Sequence, residues 1–220
     1  MTKFIRSITE LKQLEKVSPN VSDKYVPIRT SDFIEALSNF DFLYATKYIK
    51  GSNMHSAVLS CGEGTNIVIE NSYDRRLAFS IYFEHEGVLF GKVRQVHIGK
   101  SAQELAHMEG EINEFYTNAI QTLHAMKNLQ LDADEYREIA RVGFKARSIN
   151  IDETDFQVQD INAENCFEFM QGLILILKMG EFNRKHSTRK PQLVKSQAKH
   201  VKICNQIWQH IAEEHPELQI

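Results

Sequence analysis

Cysteine is scarce in this chain of 220 residues, and its three cysteines lie far apart. Cys61, Cys166 and Cys204 form no Cys-x-x-Cys pair, and their number is odd. These features exclude a disulfide framework and argue against a zinc site built from cysteines. We therefore interpret all three as reduced, mostly buried thiols rather than as catalytic nucleophiles.

Long apolar runs are also missing from the sequence. The longest, Leu173–Leu177, is far shorter than the roughly 20 residues that span a bilayer. The first residues, Met1–Arg6, lack the apolar stretch of a secretory signal peptide. We therefore expect a cytoplasmic protein with no membrane partner.

Acidic residues are absent from residues 183–202, although the whole chain carries a net charge of -3. This basic segment holds seven cations: Arg184, Lys185, Arg189, Lys190, Lys195, Lys199 and Lys202. The rest of the chain is therefore strongly acidic. Such segregation indicates an anionic partner, and nucleic acid is the first candidate.

What the sequence does contain is a block of strand-like runs followed by a long helical pattern. The apolar runs cover residues 57–60, 66–70, 77–83 and 91–98, with short polar turns between them. Short turns make neighbouring strands antiparallel. Ser101 and Glu104 have the spacing of a capping box, which predicts a helix from Ser101 to about Asn128.

These patterns predict an α+β fold, in which a long capped helix lies across an antiparallel β-meander. We expect residues 1–150 to form this core and residues 151–220 to form a helical, basic part packed on it. The last helix is predicted from about Leu193 to Glu214. A subdomain boundary is expected near 149–161, within a single domain overall.

A polar turn, Asn71-Ser-Tyr-Asp74, permits two interpretations. Asn, Ser and Asp side chains stabilise turns by bonding nearby backbone groups, so the turn can be purely structural. Alternatively, Asp74 lies beside His55 and His97 on the folded sheet, where these groups could support acid–base or metal-assisted chemistry. No spacing rule links the three residues, so the sequence predicts no metal site and no cofactor.

Several short motifs occur in the order in which they occur in a known family. They are Tyr25-Val-Pro-Ile-Arg-Thr30, Met54-His55, Asn71-Ser-Tyr-Asp74, Arg94-Gln-Val-His97-Ile-Gly99 and Asn205-Gln-Ile-Trp208. With these motifs the chain resembles a family of uncharacterised proteins encoded by phages, prophages and conjugative plasmids. Arg75 stands where the family has glycine. The resemblance implies an origin in a mobile element of a bacterial host, and it implies no particular reaction.

The predicted architecture is also similar to the core of phage single-strand annealing proteins, which hold single-stranded DNA along a basic groove. We therefore expect a homo-oligomeric protein that binds single-stranded nucleic acid for recombination or annealing and that is not an enzyme. The residues expected to contact nucleic acid are Arg75, Arg76, Arg94, Arg184, Lys185, Arg189, Lys190, Lys195 and Lys199.

Two alternatives remain open at the level of sequence. The chain could inhibit a host defence system by binding one of its proteins, which an acidic body would permit. It could also be a metal-dependent nuclease that uses His55, Asp74 and His97.

Overall fold

The computed structural model describes residues 3–17, 21, 26–37, 40–47, 54–62, 64–73, 78–95, 102–188, 190–194 and 197–218. Its strands are β1 (Lys3–Ile5), β2 (Asp41–Lys47), β3 (Met54–Gly62), β4 (Thr65–Ser72), β5 (Phe79–His85) and β6 (Val88–Gln95). Its α-helices are α1 (Ile8–Leu14), α2 (Thr30–Ala36), α3 (Ala102–Asn128), α4 (Ala133–Ala146), α5 (Cys166–Met179) and α6 (Gln197–Glu214). Short 3-10 turns lie at Ile151–Glu153, Val158–Asp160 and Pro216–Leu218.

The chain folds into two compact units. Unit 1 comprises Met1–Glu86 and Gly91–Tyr116, and unit 2 comprises Gly87–Phe90 and Thr117–Ile220. Residues 149–161, where the sequence suggested a subdomain boundary, lie inside unit 2.

The strands form one antiparallel sheet in sequence order, from β1 to β6. One row of paired residues crosses five strands, and every member is at most 1% exposed: Ile5, Ala45, Ala57, Ile69 and Ile81. Alternate residues of a strand share a face, so this row marks the face that the core of unit 1 covers. Side chains that pack on this face include Phe33 of α2, whose ring meets Phe79 edge-on at 5.1 Å, and Tyr116 of α3, which stacks on Phe83.

Unit 2 is built on close packing of α4, α5 and α6. Gly143 on α4 permits this approach, because a Cβ atom there would lie 2.7 Å from Leu177 Cδ1 and 3.0 Å from Ile207 Cδ1. The ring of Phe144 then contacts Phe156 and Phe182 at 5.2 and 4.8 Å. These three rings extend the core from the helices to the connecting loops.

Local capping signals explain where the helices of unit 2 begin and end. Asp132 and Glu135 form a capping box at the start of α4. Gly180 ends α5 in a left-handed conformation with φ of 75°, which glycine adopts without strain. Ser101, the first residue of the predicted capping box, lies outside the described residues.

The predicted α+β class, with an antiparallel sheet and a helical C-terminal part, is confirmed. The last helix begins at Gln197 rather than at about Leu193. Val194 N–H donates to the Lys178 carbonyl oxygen at 2.8 Å, so Val194 is held against the end of α5 and not within a helix. No helix in the described ranges is long and apolar enough to cross a membrane.

Candidate functional site

The structure describes only part of the predicted nucleic-acid-binding set. Arg184, Lys185, Lys190 and Lys199 are exposed in unit 2. Arg94 lies on β6, but its side chain is outside the described part of the chain. Asp74, Arg75, Arg76, His97, Arg189 and Lys195 also lie outside the described residues. The polar turn and the basic segment belong to different units.

Four of the residues singled out by the short motifs meet in a buried network in unit 1. His55 Nε2 lies 2.8 Å from Thr30 Oγ1. Asn71 Nδ2 donates to Thr30 Oγ1 at 3.0 Å and to a backbone carbonyl oxygen, that of Ile28, at 2.8 Å. The ring of Tyr73 stacks on that of His55, with centroids 5.6 Å apart. Motifs that are separated along the sequence thus form one hydrogen-bonded group.

The same network caps the start of α2. Arg29, at the N-cap position, makes no side-chain bond to this helix. Instead the hydroxyl of Tyr73 accepts a bond from Thr30 N–H at 3.1 Å, and Glu15 accepts one from Ser31 N–H at 2.8 Å. The Tyr73 hydroxyl donates in turn to Glu15, at 2.8 Å. Buried carboxylates need such donors, and the first turn of a helix needs acceptors, so each satisfies the other.

Burial decides what this network can do chemically. His55 is 2% exposed, and desolvation lowers its pKa to about 4. Burial also raises the pKa of Tyr73 well above its ordinary value. His55 is therefore neutral and closed to a dissolved substrate, so the network holds α1, α2 and the sheet together. Its position does not favour the nuclease hypothesis.

The first half of the basic segment lies against acidic sequence. Arg184 forms a backbone bridge with Thr154, and Lys185 Nζ donates to the Asp152 carbonyl oxygen at 2.8 Å. Asp155 accepts bonds from the backbone and side chain of Asn183 at 2.7 and 2.6 Å, which lowers the pKa of its carboxyl. Arg184 and Lys185 therefore lie beside the acidic residues 152–155, whose negative charge reduces the attraction of these cations for phosphate.

The last part of the segment, residues 197–202, lies on α6, beside a groove. The groove has a volume of about 450 Å³. Its lining residues come from α4 (Val142 and Lys145) and from α6 (Lys202, Gln206, Gln209, His210 and Glu213). Two ammonium groups, one imidazole and two amides therefore face a single depression, with one carboxylate at the C-terminal end of α6. We call this the α4–α6 groove.

Of the residues that line this groove, only Lys202 belongs to the basic segment noted in the sequence. Lys199, Lys202, Gln206, Gln209 and Glu213 recur at three- and four-residue spacings, so they form one stripe along α6. This stripe could have been predicted from the spacing in the sequence. Lys145 could not, because its place beside α6 depends on how α4 packs.

Among the described residues, no three His, Cys, Asp or Glu side chains are grouped so that they could hold a metal ion. Comparison with protein-family models, curated proteins and solved structures found no match for this chain.

Proposed function

We propose that this protein binds single-stranded nucleic acid through the α4–α6 groove, without cleaving it. The observation that carries the proposal is the shared lining of that groove by Lys145, Lys202 and His210. Ammonium groups held on two packed helices can contact successive phosphates of one strand. The basic sequence of residues 183–202 supplies further positive charge on the same unit.

The groove also favours unpaired over paired bases. Gln206 offers an amide donor and an acceptor beside the lysines, and Gln209, whose Nε2 donates to Glu213 at 3.0 Å, keeps a second N–H and its carbonyl oxygen. Unpaired bases expose the edges with which such amides bond, whereas base pairing in a duplex already occupies part of these edges. The proposal therefore places phosphates at Lys145 and Lys202 and bases near the glutamines.

Within the basic segment, we place the main contacts to nucleic acid on α6 rather than at the start of the segment. Lys199 and Lys202 extend along the exposed stripe of α6, whereas Arg184 and Lys185 lie next to the acidic loop. We expect the lysines of α6 to contribute more to binding than Arg184 and Lys185 do. A role in recombination or annealing, and assembly into an oligomer, belong to the same proposal.

Fluorescence anisotropy with a labelled oligo-dT of about 20 nucleotides tests the proposal. At low salt the wild-type chain should bind this strand more tightly than a duplex of the same length. For single strands, each phosphate contact makes the negative slope of log K against log salt concentration steeper by about 0.7. The double variant Lys145→Gln/Lys202→Gln should therefore make that slope shallower by about 1.4.

A matched control removes two positive charges elsewhere. Lys12 pairs with Glu35 in unit 1, and Arg137 pairs with Asp152 on the surface of unit 2. Neither lines the groove. The double variant Lys12→Gln/Arg137→Gln should keep the wild-type slope. If the wild-type chain did not bind oligo-dT at low salt, the proposal would be wrong.

A further inference from the structure

A second cleft in unit 2 has a different chemistry from the α4–α6 groove. Its volume is about 730 Å³, and it lies at the C-terminal end of α5. Its apolar part is formed by Phe156, Ile176, Met179, Phe182 and Pro191. Phe156 and Phe182 are buried, while Met179 is 43% exposed. The cleft therefore has a fixed aromatic floor and a flexible apolar wall.

The apolar surface continues beyond the cleft along α5. Leu175, which is 56% exposed, precedes Met179 by four residues, so both lie on one face of the helix. A single exposed leucine needs no explanation, but two large apolar side chains beside an apolar cleft form a surface that a partner can cover.

The polar part of the cleft is predominantly acidic. Asp155, Asp160 and Glu181 contribute three carboxylates, against one ammonium group from Lys190. Asp155 is held in place by Asn183, and Asp160 accepts a bond from Gln157 N–H at 2.7 Å. Carboxylates beside an apolar floor repel phosphate, so this cleft does not suit nucleic acid. They attract a cation that is carried beside an apolar group.

We infer that this cleft is a docking site for a peptide segment of a partner protein, in which lysine or arginine flanks a large apolar side chain. The apolar side chain enters between Phe156 and Met179, and the cations of the peptide meet Asp155, Asp160 and Glu181. This arrangement is the usual one for peptide recognition, in which a buried anchor gives affinity and rim charges give specificity. The inference stands independently of the proposed binding of nucleic acid.

A random dodecapeptide library displayed on phage, panned on the full-length chain, tests the inference. We expect the recovered peptides to share an aromatic or aliphatic residue with at least two flanking lysines or arginines. A fluorescein-labelled copy of one such peptide should bind the Met179→Gln/Glu181→Gln double variant about tenfold or more weakly than the wild type, because the variant loses the apolar wall and one rim charge.

Three further variants test whether the labelled peptide binds at this cleft. Leu175→Gln tests the extended apolar face and should weaken binding of the labelled peptide several-fold. Glu138→Gln on α4 removes an exposed carboxylate that does not line the cleft, and it should leave binding unchanged. Lys145→Gln/Lys202→Gln should also bind the peptide normally, so a failure of the proposed function would leave this result intact.

Several outcomes would overturn the inference. One is the recovery of no common sequence, and another is the recovery of acidic peptides. A third is equal binding of the labelled peptide by the wild type and by the Met179→Gln/Glu181→Gln variant. Since Met179 is 43% exposed and Glu181 is exposed, both substitutions should leave thermal unfolding unchanged, which circular dichroism would verify.

Discussion

Two buried histidines with opposite hydrogen-bonding states provide a controlled test of how this fold is stabilised. His200 on α6 is 3% exposed, and in the described structure neither of its ring nitrogens has a hydrogen-bond partner. His55 is 2% exposed and is bonded to Thr30. Burial lowers the pKa of each to about 4, and Lys178 contributes to the shift at His200. The two differ mainly in whether the buried imidazole is satisfied.

An unsatisfied buried polar group costs about 1–3 kcal/mol, whereas replacing it by an apolar group of similar size removes that cost. We therefore expect His200→Leu to stabilise the protein by about 1 kcal/mol at pH 7. His55→Leu should destabilise it by about 1–3 kcal/mol, because Thr30 loses a buried partner. Urea unfolding followed by circular dichroism measures both changes. Trp208, which stacks on Phe90 at 5.6 Å in unit 2, adds a fluorescence signal for His200→Leu.

The same pair predicts how stability depends on pH. In the unfolded chain a histidine titrates near 6.5, whereas His200 in the folded chain titrates near 4. Between these values the unfolded state binds the proton and the folded state does not, so stability falls as pH falls from about 6.5 to 4. For one such group the loss between pH 7 and pH 5 is about 2 kcal/mol.

His200→Leu should remove this loss and should leave the corresponding loss due to His55. A His200→Leu variant as destabilised as His55→Leu would contradict this prediction. A His200→Leu variant that lost as much stability between pH 7 and pH 5 as the wild type does would contradict it as well.

Three further substitutions test the local arguments by thermal and urea unfolding. Tyr73→Phe should cost about 1–3 kcal/mol, because Glu15 then loses a buried donor; an unchanged midpoint would mean that the cap of α2 does not need this hydroxyl. Gly180→Ala should cost more than 1 kcal/mol, since its backbone has φ of 75° and the new Cβ atom would lie 2.6 Å from the carbonyl oxygen of Pro191. Gly110→Ala in α3, where no described atom outside the backbone of the helix lies within 4 Å of the new Cβ, should instead stabilise by about 0.5–1 kcal/mol. Equal effects of the two glycine substitutions would contradict this account.

Local patterns predicted those parts of the fold that local physics determines. The alternation of Leu77 to Phe83 predicted a strand, and β5 occupies Phe79–His85. The strand β1 was not predicted, because Lys3–Ile5 is too short to show a pattern and becomes a strand only by pairing with β2. The late start of α6 likewise depends on the contact of Val194 with Lys178.

For the polar residues too, the sequence indicated some members of the site, whereas others depend on tertiary packing. The sequence drew attention to His55 and to Asn71, and both lie in one network. It gave no sign of Glu15, whose role depends on how α1 and α2 fold together. It also suggested chemistry for His55 where the structure shows a buried, bonded imidazole, because burial cannot be read from residue type.

The salt dependence of binding to labelled oligo-dT tests the central proposal most directly. If Lys145 and Lys202 contact phosphates in the α4–α6 groove, Lys145→Gln/Lys202→Gln will make the negative slope of log K against log salt concentration shallower by about 1.4. The control variant Lys12→Gln/Arg137→Gln will keep the wild-type slope. Equal slopes for the wild type and the groove variant would show that nucleic acid, if it binds at all, does so elsewhere on the protein.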